Sequence, residues 1–378
     1  MNRTWLLKTL DATVGAMLCR VIGRTGLLGV RRMPPVRRNP ALGDPLRILI
    51  VRPGGMGDLV LLLPALQALQ RQFPAAELTV VCEARNAPVI ELTDLRITPM
   101  LYDRAPLACA RALRRMHFDA VVDTEQFHHF SALFAIATGA PMRIGFNINP
   151  RRNPLYTHLV PYAVDGHETD QFLRLLAPLG IRGATATVAG ALPRVPHELP
   201  EALQALPRTD AQPLIVLHPA TGNRYKDWGA APFAGLVEAL IRQYDACCVV
   251  LGNHNDAAAC RALAAAVPPA HRERVLSLAG AIALRDAAAI INAARLFVGL
   301  DSGLAHIAAA CGVPSVILYG ATDPDKWASP DGSCRVVRRR VPCAPCAIFG
   351  YHKPCNTVAC IRGITTDDVL GAVETVLG

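Results

Sequence analysis

The chain has 378 residues, of which 52% are hydrophobic and 18% charged, and its formal net charge is +9. This length allows two domains with complete cores, and the high apolar content excludes an intrinsically disordered protein. The positive charge favours anionic partners such as phosphates or an acidic membrane surface, whereas the mostly scattered basic residues, without interleaved aromatics, do not favour nucleic acid.

The first thirty residues are apolar but interrupted by Lys8, Asp11 and Arg20. A membrane-spanning helix needs about twenty nearly uncharged residues, and a secretory signal needs an unbroken apolar core, so neither is predicted. On a helix, one stripe contains Leu6, Leu7, Leu10, Val14, Met17, Leu18 and Val21. The stripe predicts a helix in the membrane interface, or alternatively one docked on the protein's own core or on a second subunit. Arginines that would strengthen binding to anionic lipid are Arg24, Arg31, Arg32, Arg37 and Arg38.

Residues 33 to 46 contain four prolines and are predicted to be a linker that closes an N-terminal segment, residues 1 to 46. From residue 47, short apolar runs alternate with helical patterns, which predicts parallel strands joined by helices. The first such runs are RILIV, LPALQALQRQF, ELTVVCE, ACARALRRM, DAVVDT and FSALFAIA.

A second proline-rich stretch, residues 192 to 212, precedes a fresh alternation of strands and helices. We therefore predict two α/β domains, residues 47–195 and 212–335, with ligands beyond the carboxyl ends of their strands. Residues 336–378 form a cysteine-rich tail that ends in a helix.

A glycine turn is the first candidate site. Gly54, Gly55 and Gly57 lie between a predicted strand and helix, with Asp58 at or near the helix start. A dinucleotide fingerprint would need a small residue in place of Val60, and a phosphate loop would need Gly-Lys-Ser/Thr. The glycines instead bring backbone close to a ligand. Asp58 is then a helix cap, a base kept ionised by the helix N-terminus, or both.

A second candidate site follows a later strand, in the sequence HPATGNRYKDW. Its small polar turn contains Thr221 and Gly222, and Lys226 follows shortly. Backbone N–H groups and a cationic side chain in this order can hold an anion, although a solvated loop lysine is the alternative.

A third candidate site is the junction between a buried strand and a helix at Asp301, Ser302 and Gly303. Hydroxyl and backbone donors at this helix N-terminus would point at a phosphate. His306 lies three residues beyond the glycine, where it faces the same ligand or serves a purely structural role.

These segments resemble glycosyltransferase family 9, the ADP-heptose lipopolysaccharide heptosyltransferases. The resemblance lies in RPGGMGDLVLLLPALQAL, in Lys226-x-Trp228 and in DSGLAHIAAACGVPSVILYGATDPDKW, and it runs from about Arg47 to the C-terminus. It implies an α/β GT-B fold, in which two Rossmann-like domains face each other across a cleft. The N-terminal domain would hold the acceptor and the C-terminal domain the nucleotide-sugar.

The resemblance further implies an inverting glycosyltransferase without a catalytic cofactor, which moves a heptose from ADP-heptose, or a related sugar, to a lipopolysaccharide core or other lipid-linked saccharide. Asp58 would be the general base and Lys226 a phosphate-binding lysine, while Asp301, Ser302, Gly303 and His306 match the block around the donor diphosphate. The enzyme would then be cytoplasmic and peripheral on the inner membrane, and the sequence leaves a homo-oligomer open.

Several alternatives stay open at this point. The sequence VLSLAGAIALRD offers no match for the acidic residue that would bind the donor ribose, so a different nucleotide-sugar, or a protein acceptor, is compatible with the chain. A zinc-ribbon nucleic-acid or scaffold protein leaves the glycine turn unexplained, and the incomplete fingerprint disfavours a nicotinamide-dependent oxidoreductase. Candidates for the acceptor side, with buried or surface structural roles as the alternative, are Asp123, Glu125, His128 and His129.

Five of the twelve cysteines lie near the C-terminus, four of them in the tail and the fifth, Cys334, directly before it. The spacing of Cys343, Cys346, Cys355 and Cys360 would allow four thiolates to bind one tetrahedral zinc or iron ion, with free thiols or a redox pair as alternatives. Four protein ligands leave no open position, so such an ion would be structural. The other seven cysteines lie in apolar runs and are predicted to be in the core.

Overall fold

The computed structural model describes residues 9–25, 45–183, 187–193, 199–348, 351–352 and 354–377. The chain divides into two compact units, Met1–Ala186 and Thr187–Gly378, each with its own sheet. The domain limits predicted from the sequence stay predictions. Residues of the N-terminal segment that lie outside the described ranges include residues 33–44 of the linker and Leu6, Leu7, Lys8, Arg31, Arg32, Arg37 and Arg38.

The first unit is built on a six-stranded parallel sheet in the order β3-β2-β1-β4-β5-β6. The central strand β1 is buried at four of its five positions, which explains why its sequence is a continuous apolar run rather than an alternation. The strands are β1 (Arg47–Val51), β2 (Glu77–Cys82), β3 (Ile97–Leu101), β4 (Ala120–Asp123), β5 (Met142–Asn147) and β6 (His158–Pro161).

Helices follow most strands of this sheet, as right-handed parallel crossovers require. The one that matters most for the site begins directly after the glycine turn. The helices of the first unit are α1 (Ala16–Thr25), α2 (Met56–Gln72), α3 (Pro106–Arg115), α4 (His129–Ala137) and α5 (Glu168–Arg174).

The second unit repeats this topology with the order β12-β11-β10-β7-β8-β9, again parallel throughout. Its strands are β7 (Leu214–His218), β8 (Cys247–Val250), β9 (Val275–Ser277), β10 (Leu296–Leu300), β11 (Ser315–Tyr319) and β12 (Cys334–Arg338). A short antiparallel pair, β13 (Ala347–Ile348) and β14 (Tyr351–His352), lies in the tail. The helices of the second unit are α6 (Ala230–Tyr244), α7 (Ala257–Ala266), α8 (Leu284–Ala293), α9 (Gly303–Ala310), α10 (Pro324–Trp327), α11 (Ala359–Arg362) and α12 (Thr366–Leu377).

The predicted fold class is confirmed: each unit is a doubly wound α/β sheet in the Rossmann strand order. The core prediction for the other seven cysteines is confirmed as well, because all seven are buried. They are Cys19, Cys82, Cys109, Cys247, Cys248, Cys260 and Cys311.

The N-terminal helical segment packs on the first unit through a buried carboxylate. Asp11 is 6% exposed, and its oxygens accept hydrogen bonds from the backbone N–H groups of His129 (3.0 Å) and Phe130 (2.7 Å), at the start of α4. Asp11 therefore caps a helix that is distant in sequence. Burial opposes its ionisation, but contacts with His128, His129 and these N–H groups lower the pKa of Asp11 well below its ordinary value. The inner face of the segment is thus docked on the protein's own core.

The outer face of the same segment carries the apolar stripe predicted from the sequence. Met17 is 59% exposed and Val21 is 52% exposed, and Arg20 and Arg24 are exposed on the same helix. Other exposed members of the stripe are Leu10, Val14 and Leu18. Among the helices of the described ranges, none has both the length and the apolar character that crossing a bilayer would need.

Candidate active site

The first candidate site lies at the carboxyl ends of β1 and β4. These neighbouring strands pair in parallel, with Val51 opposite Asp123. The chain leaves β1 toward β2 and β3 on one side, while β5 and β6 lie on the other, so the strand order reverses between β1 and β4. In open α/β sheets, such a reversal opens a crevice that binds ligands.

The glycine turn after β1 makes room for Asp58. Gly54 has a φ of +111°, a conformation that residues with a side chain rarely adopt. Gly55 caps α2, and a Cβ at this position would overlap the carboxylate of Asp58. Asp58 lies in the first turn of α2, as predicted, and its side chain is 26% exposed. Gly57 also lies in this first turn, whereas the sequence placed it between the strand and the helix.

Arg52, which we did not single out in the sequence, holds this site together. Its side chain is 4% exposed, and one terminal nitrogen, Nη2, lies 3.0 Å from Glu125 Oε1 and 3.5 Å from Asp58 Oδ2. The other, Nη1, donates to the carbonyl of Thr124 (3.1 Å), and the guanidinium lies 5.5 Å from the centre of the Phe172 ring. Burial would lower its pKa, but the neighbouring carboxylates, Glu125 first, raise the pKa of Arg52.

The four acceptor-side candidates separate in the structure. Glu125 is at the site, whereas buried Asp123 accepts hydrogen bonds from Arg152 Nη2 (2.8 Å) and the Tyr156 hydroxyl (2.6 Å). The rings of His128 and His129 each lie about Asp11, with Nδ1 3.5 Å and 3.4 Å from its Oδ2. Asp123 and the two histidines therefore support the local fold, and Glu125 is the member of the group that contacts the Asp58 cluster.

The second and third candidate sites come together as one site at the carboxyl ends of β7 and β10, where the strand order of the second sheet reverses. Lys226 donates to the backbone oxygen of Asp301 (3.1 Å) and to its Oδ2 (2.6 Å). The Thr322 hydroxyl donates to the same carboxylate (2.7 Å), and His306 Nε2 lies 3.9 Å from its other oxygen. Burial of Asp301 is outweighed by Lys226 and His306, so the pKa of Asp301 is lowered.

Ser302 is the N-cap residue of α9, and its hydroxyl oxygen accepts a hydrogen bond from the backbone N–H of Ala305 (3.4 Å). The same oxygen lies 2.9 Å from Nδ1 of His218, a buried residue at the end of β7 that the sequence did not single out. Gly303 is the first residue of α9. The structure therefore assembles the Asp-Ser-Gly junction and the end of β7 into one polar cluster.

Hydrogen bonds within the turn and beside it stabilise the segment that carries Thr221, Gly222 and Lys226. Thr221 donates to the carbonyl of Asn223 (3.2 Å), and Trp228 is 2% exposed, with its indole N–H donating to the carbonyl of Ile364 (2.8 Å). Gly222 is exposed, and a Cβ there would meet no atom within 4 Å. Space alone therefore does not require glycine at this position.

The tail borders this turn. Arg224 donates to the carbonyl of Cys355 (3.0 Å), and the N–H of Cys346 donates to the carbonyl of Ala321 (2.8 Å). Burial, with nearby Cys346 and Cys343, raises the pKa of Cys360, whereas hydrogen bonds from the N–H groups of Val358 and Thr357 lower the pKa of Cys355. Across the described ranges, no three His, Cys, Asp or Glu side chains come together in a way that could hold a metal ion. The four-thiolate site stays a prediction.

Comparison with known proteins places these features in context. Residues 107–355 match the model of glycosyltransferase family 9 (heptosyltransferase). Lipopolysaccharide heptosyltransferase 3 of Escherichia coli is 28% identical over 297 residues, which cover 72% of this chain and 82% of that protein.

Two solved structures share the fold. The ADP-heptose lipopolysaccharide heptosyltransferase II of E. coli superimposes with a TM-score of 0.68 at 23% identity, over 88% of this chain and 98% of that one. The dodecameric, iron-containing heptosyltransferase TibC, solved with ADP-D-β-D-heptose, gives a TM-score of 0.55 at 15% identity, over 88% of this chain and 76% of that one.

Replacing Lys226 by methionine should destabilise the second unit, because buried Asp301 would lose its charged partner. Lys226 is itself partly exposed, so we expect the free energy of unfolding to fall by about 2 kcal/mol, less than for a fully buried pair. The double variant Lys226→Met/Asp301→Asn should recover most of this loss. Denaturant unfolding of the wild type, the single variant and the double variant measures both effects.

The matched control is Arg242→Met, which removes one member of an exposed ion pair with Glu238 and should cost about 0.5 kcal/mol or less. If the single and double variants at the candidate site lose the same stability, the loss does not come from leaving Asp301 without its charged partner.

Proposed function

The chain belongs to glycosyltransferase family 9, and from this premise we propose that it transfers a heptose, or a related sugar, from an ADP-sugar to the core of lipopolysaccharide or another lipid-linked saccharide. The similarity to lipopolysaccharide heptosyltransferase 3 supports the acceptor class, and the similarity to TibC, solved with ADP-D-β-D-heptose, supports the donor. The observation that carries the proposal is the partly exposed carboxylate of Asp58, held beside a glycine turn at the strand-order reversal of the first sheet.

We assign Asp58 as the general base for an acceptor bound at the first unit. Its place in the first turn of α2 puts the carboxylate beside the partial positive charge of the helix N-terminus. The acceptor hydroxyl gives its proton to Asp58 while its oxygen forms a bond to the anomeric carbon of the donor. The bond from that carbon to the diphosphate oxygen breaks with its electron pair leaving on ADP, so the anomeric configuration inverts.

We assign the second unit to the donor. The N-terminus of α9, with Ser302 and Gly303, offers backbone donors and a helix dipole to a diphosphate, and Lys226 adds positive charge. Asp301 holds Lys226 in place before the donor arrives. Thr221, Gly222 and His306 complete this donor-binding set. Its positive charge and N–H groups stabilise the leaving group, and the proposed transfer needs no catalytic metal.

We propose that the outer face of α1 binds the cytoplasmic surface of the inner membrane. The exposed apolar side chains form one continuous face, exposed Arg20 and Arg24 suit anionic lipid, and the inner face is already occupied by the docking of Asp11 and Cys19. A lipid-linked acceptor would be concentrated at this surface.

We further propose that Cys343, Cys346, Cys355 and Cys360 bind a structural zinc or iron ion. The donor set fits such an ion, because thiolates suit both metals and the N–H of Val358 donates to Cys355 Sγ (3.4 Å), which favours a thiolate. Iron in TibC, a protein of the same fold, supports the choice. When bound, the ion would stabilise the tail against the turn that carries Lys226, and it would take no part in transfer.

Replacing Asp58 by asparagine should abolish transfer while leaving donor binding intact. We expect turnover to fall at least about a hundredfold, because asparagine cannot accept the proton. Turnover with ADP-heptose and truncated lipopolysaccharide measures the first effect, and the shift in melting temperature with ADP measures the second.

Asp165→Asn, an exposed position in the same unit, serves as the control and should keep wild-type turnover. Retained turnover in Asp58→Asn would remove Asp58 from its role. A wild-type melting temperature that rises with UDP or NAD but not with ADP or ADP-heptose would refute the donor class.

Introducing charge on the outer face of α1 should release the protein from membranes. In Met17→Glu/Val21→Glu we expect the partition coefficient for vesicles containing anionic lipid to fall at least about tenfold. Two apolar side chains that would enter the membrane are lost, and two negative charges are added. Co-sedimentation with vesicles measures the change. Leu107→Glu, at a leucine of α3 that is 75% exposed, is the control, and equal binding of both variants would overturn the proposal.

The purified protein should contain about one equivalent of zinc or iron per chain, and Cys343→Ser should lose it. Elemental analysis measures the content, and Cys334→Ser, which changes a cysteine directly before the tail and outside the proposed set, is the control. A stable wild type that contains no metal after purification without chelators would refute the site.

A further inference from the structure

Two carboxylates and one buried arginine form the centre of the first site, and the arginine is shared unequally. The same atom, Arg52 Nη2, lies 3.0 Å from Glu125 and 3.5 Å from Asp58. Its other terminal nitrogen is held by the carbonyl of Thr124, so the guanidinium is fixed against the end of β4. Arg52 therefore pairs with Glu125 first and with Asp58 second.

The two carboxylates also differ in burial, and the one nearer to Arg52 is the more buried. Arg52 and Glu125 are each 4% exposed, whereas the side chain of Asp58 is 26% exposed. The inner pair is hidden from solvent, and the outer carboxylate is open to a ligand. A Cβ at Gly54 would lie 3.7 Å from the Glu125 carboxylate and one at Gly55 would overlap Asp58, so the glycine turn leaves this open side clear.

A general base loses proton affinity when a cation binds its carboxylate tightly, and gains it when a like charge lies nearby. Glu125 acts in the favourable direction on both counts, since it occupies Arg52 and adds negative charge beside Asp58. We propose that Glu125 is a positioning residue for transfer: by holding Arg52 it keeps the guanidinium from closing on Asp58, whose carboxylate stays free to accept the acceptor's proton. This inference rests on the proposed function.

Because Glu125 is buried, keeping its carboxylate charged costs free energy. Burial raises the pKa of Glu125, although Arg52 and His128 act against this effect. The ion pair offsets this cost, because an alanine or leucine at this position would leave the buried guanidinium of Arg52 without its nearer carboxylate. Charged or titratable groups that influence Glu125, or that it influences, are Arg52, His128, Asp58, Asp123, Arg152 and Tyr102.

The test is Glu125→Gln, which keeps an oxygen for Arg52 but removes the charge. Arg52 then turns to Asp58, which becomes a weaker base, so we expect kcat to fall about threefold to tenfold and the acid limb of its pH profile to move down by about one pH unit. The KM for ADP-heptose should stay unchanged. Glu125→Asp, which keeps the charge, should lie between the wild type and the glutamine variant.

The control is Glu77→Gln, which removes the charge from the exposed pair that Glu77 forms with Arg47 (3.0 Å) at the opposite end of β1. A profile of Glu125→Gln identical to that of Glu77→Gln would overturn the inference. If the glutamine variant does not fold, Glu125→Asp alone must move the acid limb downward, and an unmoved limb overturns the inference.

The outcome is separable from that of the proposed function. Active Asp58→Asn would refute the base itself. Inactive Asp58→Asn together with an unshifted Glu125→Gln would refute only the role of Glu125.

Discussion

In each unit the first strand pairs in parallel with the fourth, and both candidate sites depend on that pairing. Val51 lies opposite Asp123 in the first sheet, and His218 lies opposite Gly299 in the second. Because the strand order reverses at this pair, the two loops that leave it diverge to opposite sides and leave space between them. The register then decides which loop residues meet: Arg52 with Thr124 and Glu125, and His218 with Ser302.

This dependence explains what the sequence could and could not predict. The glycine turn, the Asp-Ser-Gly junction and the strands and helices beside them were predicted, because glycines and apolar runs are local signals. Arg52 was missed as a site residue, because its partner Glu125 lies 73 positions away and only strand register brings them together. Its one local signal was a charged residue directly after the apolar run Ile48–Val51. The edge strands β3 and β6 were missed because each is short, partly exposed and contains a proline.

The two sites share one electrostatic design. In each, a cationic side chain pairs with a buried carboxylate, Arg52 with Glu125 and Lys226 with Asp301. In the first site the pair lies beside Asp58, the proposed base, and in the second the cation itself is proposed to bind the donor. Burying either charge alone would be costly, and each pair reduces that cost while fixing the position of its cation. Arg52 is almost fully enclosed, which suits a permanent support, whereas Lys226 is partly exposed, which suits contact with a ligand.

The capping of α4 by Asp11 joins the N-terminal helix to the segment that directly follows Glu125. The apolar face of α1 and the carboxylate of Asp58 consequently belong to one compact unit, and the distance between them is set by the fold rather than by a flexible tether. An enzyme of this construction would select its acceptor by spacing as well as by chemistry. The number of sugars between the lipid and the reacting hydroxyl would have to match the height of Asp58 above the bilayer.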